Sequence, residues 1–176
     1  MKFNTPLIEG KLIKRYKRFL ADVKLKNGEV VTAHCANPGS MQTVNIVDSK
    51  VWLSPSKNPN RKLKYTWEII EIDKNKIGIN TSLPNTIVKE AINEQQIPEL
   101  KGYTNLKSEV KYGKNSRIDI LLRSDSKPDC YVEVKNVTMR RGNKDTYIAE
   151  FPDSVTARGK KHLLELTEMV SLGFRS

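Results

Sequence analysis

The sequence predicts an α+β chain in two parts, a small β-barrel over residues 1–82 followed by an α/β layer over residues 83–176. Two observations carry that expectation. From Leu12 to about Thr81, short β-branched and aromatic runs alternate with turn residues, the pattern of strands. At Leu83-Pro84-Asn85 the apolar period lengthens to that of a helix. A length of 176 residues suits one ample domain or two small ones, because a chain of this size buries most of its surface on folding.

Within the first part, Leu20 to Lys26 alternates, Asn27-Gly28 supplies a tight hairpin turn, and Glu29 to Cys35 returns as the partner strand. Further strands are expected at Lys50 to Leu53, Leu63 to Ile72 and Asn75 to Asn80, separated by Pro55, Pro59 and polar turns. In the second part, Asn85 is expected to cap a helix that puts Ile87, Val88, Ala91 and Ile92 on one face, with Pro98 as its stop. Three strands follow at Leu106 to Tyr112, Ser116 to Leu122 and Cys130 to Val137, the last two almost continuously apolar, as buried strands are. Asp153 is expected to cap a long helix that runs to Leu172, buries a stripe of Leu163, Leu166, Met169 and Val170, and ends at Gly173.

Composition narrows the function classes. With 38% hydrophobic and 29% charged residues the chain is globular, and no apolar run is long enough to span a bilayer. Met1 to Pro6 turns polar before a secretory core could form, so the expected location is the cytoplasm, with Cys35 and Cys130 reduced. Thirty-one Lys and Arg against twenty Asp and Glu leave +11, which draws polyanions and makes DNA the expected partner. A solvated, Lys-rich surface is the alternative reading of that charge.

The chemistry concentrates in three residues. Asp119 lies within one buried strand, and Glu133 and Lys135 lie two apart on the next, hence on one face. Ions in such strands need partners, since desolvation costs several kcal/mol each. Two carboxylates on adjoining strands can share Mg²⁺ or Mn²⁺, and the ammonium can offset charge on a phosphate. A salt-bridged strand pair involving Lys135 and Arg117, with no metal, remains the competing explanation. Glu109, on the preceding strand, is either a third metal ligand or a surface charge.

Two basic sets accompany this cluster. Arg158, Lys161 and His162 fall three to four apart on the last helix and can point together toward the carboxylates, with backbone N–H groups near Ser154 and Val155 helping to hold a phosphate. In the barrel half, the run Lys14-Arg15-Tyr16-Lys17-Arg18-Phe19 would, as a strand, send Arg15, Lys17 and Phe19 to one face and Tyr16 and Arg18 to the other. Arg15, Lys17 and Arg18 are therefore expected nucleic-acid contacts, as is Arg117 in the second part, with Arg61, Lys62 and Lys64 a weaker set.

Several motifs together resemble the bacterial and archaeal sugar fermentation stimulation protein family. They are Lys111-Tyr112-Gly113, Asn115 to Asp119, Glu133 to Thr138, Phe151-Pro152-Asp153 and Arg158 to Leu163, and in the first half Arg15 to Phe19, His34 to Met41 and Asn58 to Leu63. The likeness spans essentially the whole chain. It implies an N-terminal OB-fold barrel, a C-terminal domain similar to the PD-(D/E)xK nucleases, and DNA binding. It further implies Asp119 and Glu133 as metal ligands and Lys135 as the catalytic lysine. Family members are expected to continue past the long helix, so Gly173-Phe174-Arg175-Ser176 reads as the lead-in to a further strand. A truncated chain with an exposed edge, lowered stability and a tendency to aggregate is the expectation. Two functions stay open: a Mg²⁺-dependent DNA nuclease, and a non-catalytic DNA-binding regulator of sugar metabolism on a nuclease-like fold. Strand preference and oligomeric state stay open too, a homodimer included.

Overall fold

The structure, a computed structural model, describes residues 1–113, 115–142, 146, 148–151 and 156–176. They form two compact units: residues 2–82 with 136–153, and residue 1 with 83–135 and 154–176. The barrel unit is therefore discontinuous in sequence, whereas the sequence pattern suggests one division after residue 82.

In the barrel unit, strands β1 (Ile8–Tyr16), β2 (Leu20–Leu25), β3 (Val30–Cys35), β4 (Lys50–Pro55), β5 (Tyr65–Ile72) and β6 (Asn75–Gly78) run in the order β3-β2-β1-β4-β5-β6. A parallel pairing of β3 with β5 closes the first five into an OB-like barrel and leaves β6 as a hairpin arm on β5. Closure removes exposed edges. Alternate residues fill the interior: Ala21, Val23 and Leu25 from β2, Val31, Ala33 and Cys35 from β3, and Val51 and Leu53 from β4, around a fully buried Trp67. Gly10 permits the close approach of β1 to β2, since a Cβ there would sit 2.8 Å from the Lys24 carbonyl oxygen.

The expected Asn27-Gly28 turn is present, with Gly28 at φ +89° and Asn27 Oδ1 accepting the Glu29 N–H at 3.0 Å. The basic run near Tyr16 differs from expectation. β1 stops at Tyr16, and Lys17 (φ 48°), Arg18 (φ 62°) and Phe19 make a three-residue turn into β2. A three-residue hairpin loop leaves the pleat of the strand, so the alternation of faces ends where the strand does.

In the second unit, helix α1 (Pro84–Asn93) starts with Pro84, whose fixed φ suits the first helical position and whose missing N–H is not needed there. Leu83 is the N-cap and Asn85 caps nothing, contrary to expectation. The helix ends at Asn93, ahead of Pro98, which instead opens a 3₁₀ turn. Strands β7 (Asn105–Tyr112), β8 (Ser116–Ser124) and β9 (Lys127–Val132) form an antiparallel sheet with β8 in the middle. Ile120 and Leu122 pack with Ile92 of α1 in one core, while Ile118 and Leu121 pack with Tyr112 and Met169 in another.

The strict alternation of β8 breaks between Ile118 and Ile120, at Asp119. Across from it, between the pairs Ser108–Ile120 and Val110–Ile118, stands Glu109 with φ 55°, a left-handed residue inside a strand. β9 also ends earlier than expected, at Val132, so Glu133 to Val137 continue outside the ladder. Strands β10 (Met139–Arg141) and β11 (Ile148–Glu150) pair as a hairpin of the barrel unit, where Arg140 meets Asp73 at 2.7 Å.

Helix α2 (Ala157–Ser171) is capped by Thr156, whose Oγ1 accepts the Gly159 N–H at 3.0 Å. The expected cap Asp153, and Ser154 and Val155, lie outside the described residues. The buried face is His162, Glu165 and Met169, with Leu166 partly packed. Leu163 and Val170 are exposed at 66% and 52%, which overturns half of the expected apolar stripe. Gly173 ends the helix as expected, at φ +89°, with Phe174 N–H bonded to the Met169 carbonyl at 3.1 Å. The chain then pairs in parallel with β9, Tyr131 N–H donating to the Arg175 carbonyl at 2.8 Å and Arg175 N–H to the Asp129 carbonyl at 2.9 Å. That edge of β9 is thus paired at Asp129 and Tyr131. Among the described residues, no helix is long and apolar enough to cross a membrane.

Candidate active site

Asp119 sits in mid-β8, half-buried, where the break in alternation turns it. Its two oxygens are held separately: Asn85 Nδ2 of α1 donates to Oδ1 at 3.0 Å, and the Val134 N–H donates to Oδ2 at 2.8 Å. The second bond explains why β9 stops at Val132. The carboxylate takes an N–H that a longer ladder would have used, as short acidic side chains do when they compete with sheet pairing. Glu133, next to that N–H, has a side chain only 9% exposed. Its Oε1 pairs with Lys135 Nζ and with His162 Nδ1 of α2, the latter at 2.6 Å. Its Oε2 is buried and has no hydrogen-bond partner among the described residues.

Asp119 and Glu133 line a cleft of about 650 Å³ together with Glu109, Asn115, Ser116, Arg117, Ala157, Arg158, Lys161 and His162. The sequence-predicted set is therefore largely brought together. Lys135 joins through Glu133 and does not itself line the cleft. Of the expected salt-bridged alternative, the Lys135–Glu133 pair forms, while Arg117 bonds to the Glu109 carbonyl instead. Among the described residues, no group of three His, Cys, Asp or Glu side chains is close enough to hold an ion, so Glu109 shares the cleft without completing a ligand set.

The basic rim has distinct tasks. Arg117 Nη1 donates to the Glu109 carbonyl at 3.4 Å, and Lys161 Nζ to the Asn115 carbonyl at 3.1 Å, and both line the cleft. Arg158 is exposed on the first turn of α2. His162, expected beside them as a phosphate contact, is buried and engaged with Glu133. Tyr112 was missed from sequence. Its hydroxyl is buried without a hydrogen bond among the described residues, and burial, reinforced by the Glu133, Glu165 and Asp119 carboxylates, pushes its pKa up to about 12. It registers the negative charge that these acids gather under the cleft. Asn85 was missed as well, because a polar residue after Leu83-Pro84 reads locally as a cap.

In the barrel unit, Arg15 is half-buried and spends its guanidinium on carbonyls, those of Asn37 at 2.8 Å, Gly39 at 3.0 Å and Arg18 at 3.2 Å. It braces the loop after β3, in which Asn37 is buried and bonded to the Ile79 carbonyl. Lys17 and Arg18 are exposed at the hairpin tip beside Phe19, 49% exposed. Arg61 donates to Thr66 Oγ1 at 3.0 Å.

Comparison with known proteins assigns both units. A family description, the sugar fermentation stimulation protein RE domain, matches residues 82–176, and the N-terminal OB domain of the same family matches residues 13–79. The chain belongs to the sugar fermentation stimulation protein family. Relatives of that name from Rhodospirillum rubrum and Maricaulis maris are 58% and 57% identical over all of this chain, which spans 75% and 74% of their lengths. The solved structure of Pyrococcus furiosus SfsA in complex with Ca²⁺ superposes with a TM-score of 0.83 at 26% identity, covering 99% of this chain and 71% of that one. The family's two-domain plan thus accounts for the barrel and for the unit that carries Asp119 and Glu133.

Proposed function

We propose that this family member binds DNA and hydrolyses its phosphodiester bonds at the Asp119–Glu133 cleft, using Mg²⁺ or Mn²⁺. One observation carries the reading: Glu133 Oε2 is a buried carboxylate oxygen with no hydrogen bond among the described residues, beside a second carboxylate and under a rim of Arg117, Arg158 and Lys161. A buried carboxylate oxygen left without a donor is costly, even where the other oxygen of the group is paired, unless something binds it. A hard divalent cation suits the donor set, because Mg²⁺ takes one or two carboxylates and fills its remaining positions with water and phosphate oxygens. The Pyrococcus furiosus relative, solved with Ca²⁺, lends support, as Ca²⁺ favours the same oxygen donors.

Asp119 and Glu133 would hold the ion, which when bound supplies Lewis-acid polarisation and an activated water. The chain's own residues do the rest. Lys135, tethered to Glu133, keeps an ammonium beside the carboxylates to offset charge on the phosphate under attack. Arg117, Arg158 and Lys161 seat the phosphate backbone at the mouth, and Glu109 sits across from Asp119. The exposed Lys17, Arg18 and Phe19 offer the barrel's own contact to nucleic acid.

The test is to incubate the protein with supercoiled plasmid and with single-stranded DNA, in Mg²⁺ or Mn²⁺, beside Glu133→Ala. Cutting by the wild type and loss of about 10²-fold or more in the variant is the expected result. Equal cutting, or none in either sample, removes the catalytic claim. A non-catalytic DNA-binding regulator is then the remaining reading, favoured by the lack of a three-ligand group among the described residues together with the charge of +11.

A further inference from the structure

We infer that Asn85 and His162 are positioning residues, one on each helix, that fix the two carboxylates in the orientation a cation needs; this rests on the two-carboxylate reading above. Neither residue was assigned such a task by its sequence context, where Asn85 reads as a helix cap and His162 as a phosphate contact.

A carboxylate on a half-buried strand can rotate about its side-chain bonds, and a site of only two acids tolerates little of that, since each missing or misdirected oxygen is a lost ligand. Here each acid is clamped from outside the sheet. Asn85 Nδ2, on the first turn of α1, takes Asp119 Oδ1, while the Val134 N–H takes Oδ2. His162 Nδ1, from the buried face of α2, takes Glu133 Oε1 at 2.6 Å. A carboxylate oxygen only accepts, so Nδ1 is the donating nitrogen. The clamp on Oε1 leaves Oε2 as the carboxylate oxygen without a hydrogen bond among the described residues. His162 is buried, so it does not reach out for a phosphate. Outer partners of this kind set ligand orientation, and losing one commonly weakens metal binding about 10-fold to 100-fold.

The experiment titrates the whole chain with Mn²⁺ alone, without DNA, by calorimetry and by the electron paramagnetic resonance of the free ion. Wild type, Asn85→Ala, His162→Ala and His162→Asn are compared, the last because an Asn amide can present a donor where Nδ1 stands. Both Ala variants should bind Mn²⁺ about 10-fold more weakly, and His162→Asn should recover most of the loss. Folded Ala variants that bind as tightly as wild type overturn the inference and leave the two-carboxylate reading standing. A wild type that binds no Mn²⁺ overturns that reading, and the inference with it. Should an Ala variant not fold, ¹⁵N spectra of the wild-type imidazole decide: an Nδ1–H tautomer whose proton shifts on Glu133→Gln is expected, and an Nε2–H tautomer indifferent to that change overturns the clamp.

Discussion

Single side chains in the cleft unit show how far burial and charge can move chemistry. Tyr112 normally titrates near 10, but burial and the Glu133, Glu165 and Asp119 carboxylates push it up to about 12. Between those values the unfolded chain has released the phenol proton and the folded chain still holds it, so stability falls as pH rises through that window. Tyr112→Phe should abolish this component. Urea melts from about pH 9 to about pH 11.5 should show the variant losing less stability than the wild type, and parallel losses would refute the assignment. At neutral pH the two should agree within about 1 kcal/mol, because the hydroxyl makes no hydrogen bond among the described residues that its removal could break. Cys35 and Cys130 behave as the isolated positions suggest: both thiols are free and buried, and burial raises their pKa, which makes them poor nucleophiles.

The elements owe their limits to local chemistry in some places and to the site in others. α2 begins where Thr156 can satisfy an N–H that the first turn leaves open, so Thr156→Ala should cost about 1 kcal/mol and Thr156→Ser almost nothing. Thermal melts of the two variants check this; equal melting temperatures for Ala and wild type would mean that the cap contributes nothing. β9, by contrast, is cut short by Asp119, whose oxygen accepts the Val134 N–H. α2 turns His162 and Glu165 inward and Leu163 outward, because its inner face meets the end of the sheet where the acids gather. Hydrophobic periodicity on that helix therefore misleads by one stripe. Glu109, left-handed in the middle of β7, is a sparsely populated conformation lying across from a candidate ligand.

For the whole molecule, the charge of +11 sets the terms of association. If phosphates dominate the contact, DNA affinity should fall steeply with salt, by about 10³-fold or more between 50 mM and 200 mM for a protein that neutralises six or more phosphates. A gel-shift series measures this, and a flat response would speak against DNA as the ligand. Reading the chain alone determined most of the barrel's strands, the Asn27-Gly28 hairpin, the switch to an α/β pattern after residue 82 and the Gly173 stop, because these follow from residue period and turn chemistry acting over a few neighbours. The tertiary structure alone decided what Asp119 and Glu133 touch. Asn85, Val134 and His162 reach Asp119 or Glu133 across 34, 15 and 29 residues of chain. Contacts at that separation leave no local periodicity: a donor that clamps a carboxylate looks, in its own neighbourhood, like a cap, a strand amide or a member of a basic helix face.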